Sequence, residues 1–508
     1  MKAATHIAPF LSEHVDLKVG LNQLGLRNAS EELFTTLLPG MNNVTARIRY
    51  YSFYCWLIRE YYHRDKADKD TYRVFIRKSE YLLALIQAKL DDFGGIPGIN
   101  YALAEVAKGT DPISLQDGVY NSEGKTNSGT YWANPGGVLQ QYYVSSLRDM
   151  QILKAHLEDF SISNISKDDG FVCGERLADL FAESIGEEAL NQFLHIVNRG
   201  SVFLNELSGL SKTFTMKSFI GAEDERDVLY DMLVQQDNPI KEISSCYRKG
   251  TIRYFLEFLD GTGNVSSPSQ QFARFMYDKF HDGNDDPSVL GWYAYYLNDN
   301  WQYQVSRIFE QLLIVLKKEY GGRWISIDEL IKKLATDIVS VMMEGQSLTF
   351  GEALNKIPDI ADSKNNEAIC AAAIADLMLK YNENKSAISR IGNISILFPG
   401  LRSFDFFDLM EEWGNLYDKP FYDFLYDFIY SKVIYQHYSV SVRKYYQIGI
   451  SSFKFIIENG NIRFLGYYEA SHTSPRIETL AGFLQDLGLT EGMSLAEYGK
   501  EKLAALTV

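Results

Sequence analysis

The chain is short of cysteine, of histidine at useful spacing, and of positive charge. Its four cysteines, Cys55, Cys173, Cys246 and Cys370, stand far apart, and none belongs to a CxxC or other zinc spacing. Lone thiols in a long chain fit a reducing compartment, so a cytoplasmic protein is expected. The eight histidines form no HExxH or HxxxH pair on a helical pattern, and no metal or other cofactor is expected. Gly-x-Ser-x-Gly is missing, as are GxGxxG and GxxxxGK[ST] after a strand and an acidic pair followed by ExK. Each absence removes a catalytic class that depends on that geometry. No apolar run approaches the ~20 residues of a membrane span. Met1–Asp16 has no continuous apolar stretch of the signal-peptide kind, so no membrane partner is expected. Lys and Arg number 50 against 66 Asp and Glu, a formal charge of −16. A protein that wraps nucleic acid over most of its surface needs the opposite balance, so contact with DNA or RNA has to be local.

What is present is a large apolar and aromatic fraction. The 508 residues are 46% hydrophobic and include 33 Tyr and 30 Phe. That is enough for several domains and a substantial core, with tyrosines suited to helix packing or to partner interfaces. Apolar residues recur at helical spacing through most of the chain, and only the tail offers a convincing hairpin. The expected fold is mainly α: a multi-helical body with a small C-terminal winged-helix-like α+β module. The expected divisions are an N-terminal helical domain at 1–108 with an aromatic and basic helix, a loop-rich segment at 109–138, a helical body at 139–440, and the winged-helix-like domain at 441–508.

The tail has the clearest local code. Ser452–Ile457 and Asn461–Leu465 carry β-formers and flank Glu458-Asn459-Gly460, a turn whose Asn-Gly step tolerates positive φ. Ser474-Pro475 reads as N-cap and first helical position. Ile477, Leu480, Ala481, Leu484 and Leu487 then share one face, and Gly488 ends the helix. Ser494-Leu-Ala-Glu497 has the pattern of a capping box. A DNA-binding winged helix would use Arg476 at the start of its recognition helix, with Arg443, Lys444, Arg463 and Lys454 nearby. Glu469, Glu478 and Asp486 share the module, which favours protein docking instead.

Two further sets carry chemistry. A helix expected from about Val44 to His63 has two apolar stripes, Val44/Ile48/Tyr51/Cys55/Ile58/Tyr62 and Tyr50/Tyr54/Leu57/Tyr61, so most of it should be covered. It opens a basic stretch in which Arg47, Arg59, Arg64, Arg73, Arg77 and Lys78 are candidates for nucleic acid. Because the aromatics fall on the core stripes, a solvated face with ion pairs is the stronger reading. Segment 109–137 is rich in Gly, Pro, Asn and Asp, a length of loop that is either functional or mobile. Arg274 and His281 lie seven residues apart on a helical pattern and so share a face. The pair resembles the Arg-x(4–6)-His element of HEPN ribonucleases, which implies His281 as acid/base and Arg274 as phosphorane stabiliser. Phe275 departs from the polar residue usual after the Arg. The bland alternative pairs Arg274 with a carboxylate and places His281 at a helix C-terminus.

Leu37–Trp56, with its Leu-Leu-Pro-Gly-Met-Asn-Asn-Val-Thr-Ala-Arg core, resembles the N-terminal signature of large uncharacterised bacterial proteins encoded among phage-defence and restriction genes. The tail from Thr473 to Gly499 is similar to their winged-helix end. The resemblance carries no catalytic residues. It implies a bacterial cytosolic defence or mobile-element setting and nothing sharper. An acidic, Tyr-rich helical chain with no catalytic set is in turn expected to be a non-catalytic scaffold or sensor subunit of an anti-phage defence complex, binding a protein partner and, locally, DNA or RNA. A HEPN-like ribonuclease and a winged-helix regulator are the alternatives.

Overall fold

The computed structural model describes residues 22–64, 69–90, 94–153, 172–235, 245–262, 265–360, 365–387, 406–449 and 451–507. Apolar spacing over Leu139–Phe160 predicts a helix whose part beyond residue 153 falls outside them, as do the turn signals at Gly263-Asn264 and Pro399-Gly400. The fold is mainly α. Contacts divide the chain into two units: Met1–Leu33 with Leu290–Thr473, and Phe34–Val289 with Ser474–Val508. The tail is therefore shared. Its hairpin belongs to the first unit and its last two helices to the second.

In the second unit the helix Tyr50–Arg64 lies at the centre. Residues 51–58 are all buried, and the helix packs most extensively on Gly174–Ile185. Phe53 meets Phe181 and Phe193, and Tyr50 and Tyr54 meet Tyr143. Tyr50, Tyr54, Leu57 and Tyr61 of one stripe and Ile48, Tyr51, Cys55 and Ile58 of the other are buried as their spacing demands, whereas Val44 is exposed and Tyr62 half-buried. The helix starts six residues later than Val44, and the reason is local. Asn42 closes a turn by accepting from the Val44 amide at 2.9 Å, and Thr45 donates back to the Asn42 carbonyl at 3.1 Å. Arg176–Val197 is two helices, Gly174–Ile185 and Glu187–Arg199, parted by Gly186 at φ 87°.

The first unit is built on the long helix Pro287–Lys318, whose residues from Leu290 belong to it. Around it lie Ile327–Met343, Asn366–Asn384 and a continuous run Phe421–Phe428, Ile429–Tyr435 and Gln436–Ile448, the middle part a π-helix. His437 is fully buried. Its Nδ1 faces the Gln23 carbonyl at 3.1 Å, and its Nε2 accepts from the Lys454 amide at 3.0 Å. One ring thereby ties the N-terminal segment and the start of the hairpin to the helix.

The described strands are short. β1 (Ile113–Ser114) pairs with β2 (Ser201–Val202), and β6 (Thr490–Glu491) with β7 (Ser494–Leu495). The hairpin forms as β4 (Phe455–Glu458) and β5 (Asn461–Phe464), with Asn459 at φ 49° and Gly460 at φ 76°. β3 (Ile325–Ser326) joins it in antiparallel order β3-β5-β4, with Ile325 opposite Ile462. Two tail expectations change. Arg476, not Ser474, is the N-cap residue of Ile477–Asp486; it is held at φ 67°, so Pro475 lies outside the helix. Ser494 and Leu495 are drawn into β7, and the last helix begins at Glu497.

Candidate functional site

The basic candidates of the second unit are largely turned to the protein itself. Arg47 meets the Asp486 carboxylate at 2.5 Å, and its Nε and Nη2 donate to the Gly94 carbonyl. Burial still outweighs that pairing and pushes the Asp486 carboxyl up to about 7. Arg59 pairs with Asp179. Arg77 is fully buried and donates to the carbonyls of Val119, Trp132 and Asn134, and burial holds it below the usual arginine range. Lys78 and Arg73 are half-buried. The Arg64 side chain lies outside the described set. Arg476 donates to the Leu38 carbonyl at 2.9 Å and Thr35 Oγ1 at 3.2 Å, over the Phe34 ring.

Arg49, near the candidate Arg47, forms a dense polar centre in this unit. Its guanidinium reaches Glu225 at 2.7 Å and also Ser184 and the carbonyls of Thr215 and Ser218. Glu225 also accepts from Ser52 and Ser184. A cleft of about 190 Å³ opens beside it, lined by Glu183, Ser184, Glu223, Asp224 and Glu225. All three Arg49 guanidinium nitrogens and both Glu225 oxygens have partners, so the pair is a fastening of helices. In the sequence Arg49 counts only as one of the basic residues of the stretch from Arg47 to Lys78, and its pairing with Glu225 leaves no sign because 176 residues separate them.

Arg274 and His281 lie on Pro268–His281. Arg274 pairs with Asp278 at 3.0 Å with both side chains half-exposed. His281 stands in the last helical turn against the Tyr277 ring, with centroids 4.5 Å apart.

The tail candidates of the first unit behave differently. Arg443 and Arg463 are exposed. Lys444 donates to the Asn22 carbonyl, and burial lowers its pKa. Arg463 stands over the exposed Trp324 ring, 6.0 Å from its centroid, because β3 and β5 set these two residues side by side. Lys317 stands 5.5 Å from the Phe464 centroid, and Phe464 touches Tyr467.

One arrangement has no sequence signal at all. An extended strap, 468–473, runs along Pro287–Lys318. Tyr468 donates to Ser306, and the Ala470 amide donates to Glu310. At its end the buried Asp299 accepts from Thr473 N at 2.8 Å, Thr473 Oγ1 at 2.7 Å and Gln302 Nε2 at 3.1 Å, and its other oxygen holds His472 Nδ1 at 2.7 Å. Asp299 and His472 are 173 positions apart, so no motif could have joined them. Tyr303 stacks on the imidazole with centroids 3.8 Å apart. Gln302 Nε2 also donates to the Ser471 carbonyl at 3.1 Å. Arg27 Nη2 reaches the same carbonyl at 2.7 Å and Ser471 Oγ at 2.6 Å. A carboxylate thus fixes the histidine tautomer and presents the other ring nitrogen outward, an arrangement able to exchange a hydrogen bond with a ligand.

Comparison with family models, with curated proteins and with solved structures returned no match. Among the described residues no helix is long and apolar enough to cross a membrane, and no group of acidic, histidine and cysteine side chains is placed to hold a metal ion.

Proposed function

We propose that this chain is a non-catalytic scaffold or sensor subunit of a bacterial anti-phage defence complex, and that it docks a protein partner through its first unit. The observation that carries the reading is the disposition of large side chains. Arg47, Arg59, Arg77 and Arg476 are spent on carboxylates and carbonyls, while Tyr430, Tyr435 and Tyr446 of the 421–448 helical run face outward, Tyr446 at 80% exposure. Exposed tyrosines on rigid helices are what protein interfaces select, because each supplies a large amphipathic surface at small entropic cost. The setting rests on the resemblance of Leu37–Trp56 and of the tail to proteins of defence gene clusters.

The test is co-purification from the native host with wild type and a Tyr435→Ser/Tyr446→Ser double variant. A stoichiometric partner that is lost from the variant, at unchanged melting temperature, is the expected result. Nuclease activity of the purified chain that a single point change abolishes would overturn the reading.

A second reading is favoured by the Trp324–Arg463 and Lys317–Phe464 pairs. Cation and aromatic together are the elements of a single-strand nucleic-acid platform. It requires binding that weakens steeply with salt and is lost in Arg463→Ala.

A further inference from the structure

We propose that the corner formed by Arg27, Ser471 and His472 in the first unit binds a phosphate group, as inorganic phosphate or as a phosphate monoester. The argument begins with charge. Arg27 is 6% exposed, and among the described residues no carboxylate lies within ion-pair distance of it. Its bonds are two from Nη2 to Ser471, and its Nε is buried without a partner. A guanidinium taken out of water without an anion or a set of carbonyls is costly; the buried Arg77 is met by three carbonyls, whereas Arg27 has one carbonyl and one hydroxyl, which leaves donor capacity for an anion. The nearest acid in the network is Asp299, three hydrogen bonds away through the Ser471 carbonyl and Gln302, and its oxygens already accept from Thr473, Gln302 and His472.

The second observation is His472. Asp299 accepts a hydrogen bond from Nδ1–H, so Nε2 is the nitrogen left to a ligand. No residue in the described set bonds to it, and the side chain is 34% exposed. Ser471 beside it is exposed and offers a hydroxyl proton, since its oxygen already accepts from Arg27. Arg307 adds a further cation to the surroundings, 5.8 Å from the centroid of the Tyr303 ring that stacks on His472. This set discriminates between oxyanions. Hydrogen phosphate accepts from the guanidinium and the serine, and it donates its own proton to neutral Nε2 or accepts from the imidazolium. Sulfate at neutral pH has no proton to donate and satisfies only the second state. The inference is independent of the docking reading, and a ligand here would supply what a sensor senses.

The experiment is thermal melting and calorimetric titration of the full chain with sodium phosphate, against sodium sulfate at matched ionic strength. Saturable stabilisation by phosphate, exceeding that by sulfate, is expected. Adenosine monophosphate and phosphoserine as separate probes tell a monoester site from an ion site: tighter binding of either assigns the monoester, and weaker binding of both assigns the free ion. Arg27→Gln should bind phosphate about tenfold more weakly, the loss of a charge-assisted bond, while its melting temperature without phosphate stays the same or rises. A merely structural Arg27 would lower that temperature. Ser471→Ala, at an exposed position, provides the same comparison if Arg27→Gln does not fold. No preference for phosphate over sulfate in the wild type, or equal phosphate affinity in the variants, overturns the proposal.

Discussion

At the scale of single residues, the balance between charge pairing and burial decides which cations are available. Arg49 and Glu225 expose only 3% and 0% of their side-chain surface. Removing one leaves the other unpaired, and such losses run to about 3–5 kcal/mol. Arg49→Met and Glu225→Leu should each destabilise strongly, and the double variant should lose less than the sum, as a denaturant double-mutant cycle will read. An additive result would mean that the two do not depend on one another. Arg476 belongs to the same class. Its guanidinium is bound to Leu38 and Thr35, so Arg476→Ala should cost stability in the second unit.

Elements are held by a few polar residues placed at exact turns of a helix. On Lys69–Gln87, Arg77 takes three carbonyls of segment 119–134, and Glu80, one turn on, accepts from the amides of Val138 and Leu139 at 3.0 and 2.7 Å and from Tyr54. The loop read from sequence as functional or mobile is clamped at donors and acceptors alike. Arg77→Lys cannot reproduce a planar fork reaching several carbonyls, so hydrogen exchange across 119–134 should quicken in that variant. Unchanged protection would show that the loop holds without the clamp. Gly137 sits at φ 74°, where an added Cβ would come within 2.4 Å of Glu80 Oε2. Gly137→Ala should therefore destabilise by more than the ~1 kcal/mol of the left-handed backbone alone.

His437 gives a pH signature at the same scale. Burial pushes its pKa down from 6.5 to about 3, while the unfolded chain binds the proton near the ordinary value. Its contribution is fully present above pH 6.5 and is lost as pH falls toward 3. Glu80 and Asp486, both pushed up to about 7 by burial, act in the opposite sense, favouring the fold at lower pH and losing that contribution as pH rises through 7. The comparison that isolates His437 is with His437→Gln, which keeps a donor and an acceptor but cannot be protonated. Its melting temperature should fall less between pH 6.5 and 4.5 than that of the wild type; parallel curves would contradict the assignment.

For the whole molecule, the charge of −16 and the inward use of arginine point the same way. A nucleic-acid contact, where one exists, is confined to a patch such as Trp324–Arg463, and its salt slope should correspond to few phosphates. A slope corresponding to six or more phosphate contacts, roughly the range of extended DNA-binding surfaces, would exclude a local patch.

The amino-acid sequence by itself determined the periodic and the local. Helical class, the two buried stripes of Tyr50–Arg64, and the hairpin at Asn459-Gly460 follow from side-chain spacing and turn chemistry, which act over a few residues. Cap positions were less legible. Ser494-Leu495 reads as the start of a helix and forms β7 by pairing with Thr490-Glu491, since backbone pairing outweighs a single cap. Only the tertiary structure decided the polar sites. Arg49 with Glu225, Arg77 with Asn134, Asp299 with His472 and Arg27 with Ser471 join residues 57 to 444 positions apart. Each depends on where the chain returns in space, and no spacing rule encodes that. The physical reason is that hydrophobic periodicity is a property of neighbours on one element, whereas a buried charge finds its partner only when separate elements have packed and excluded water.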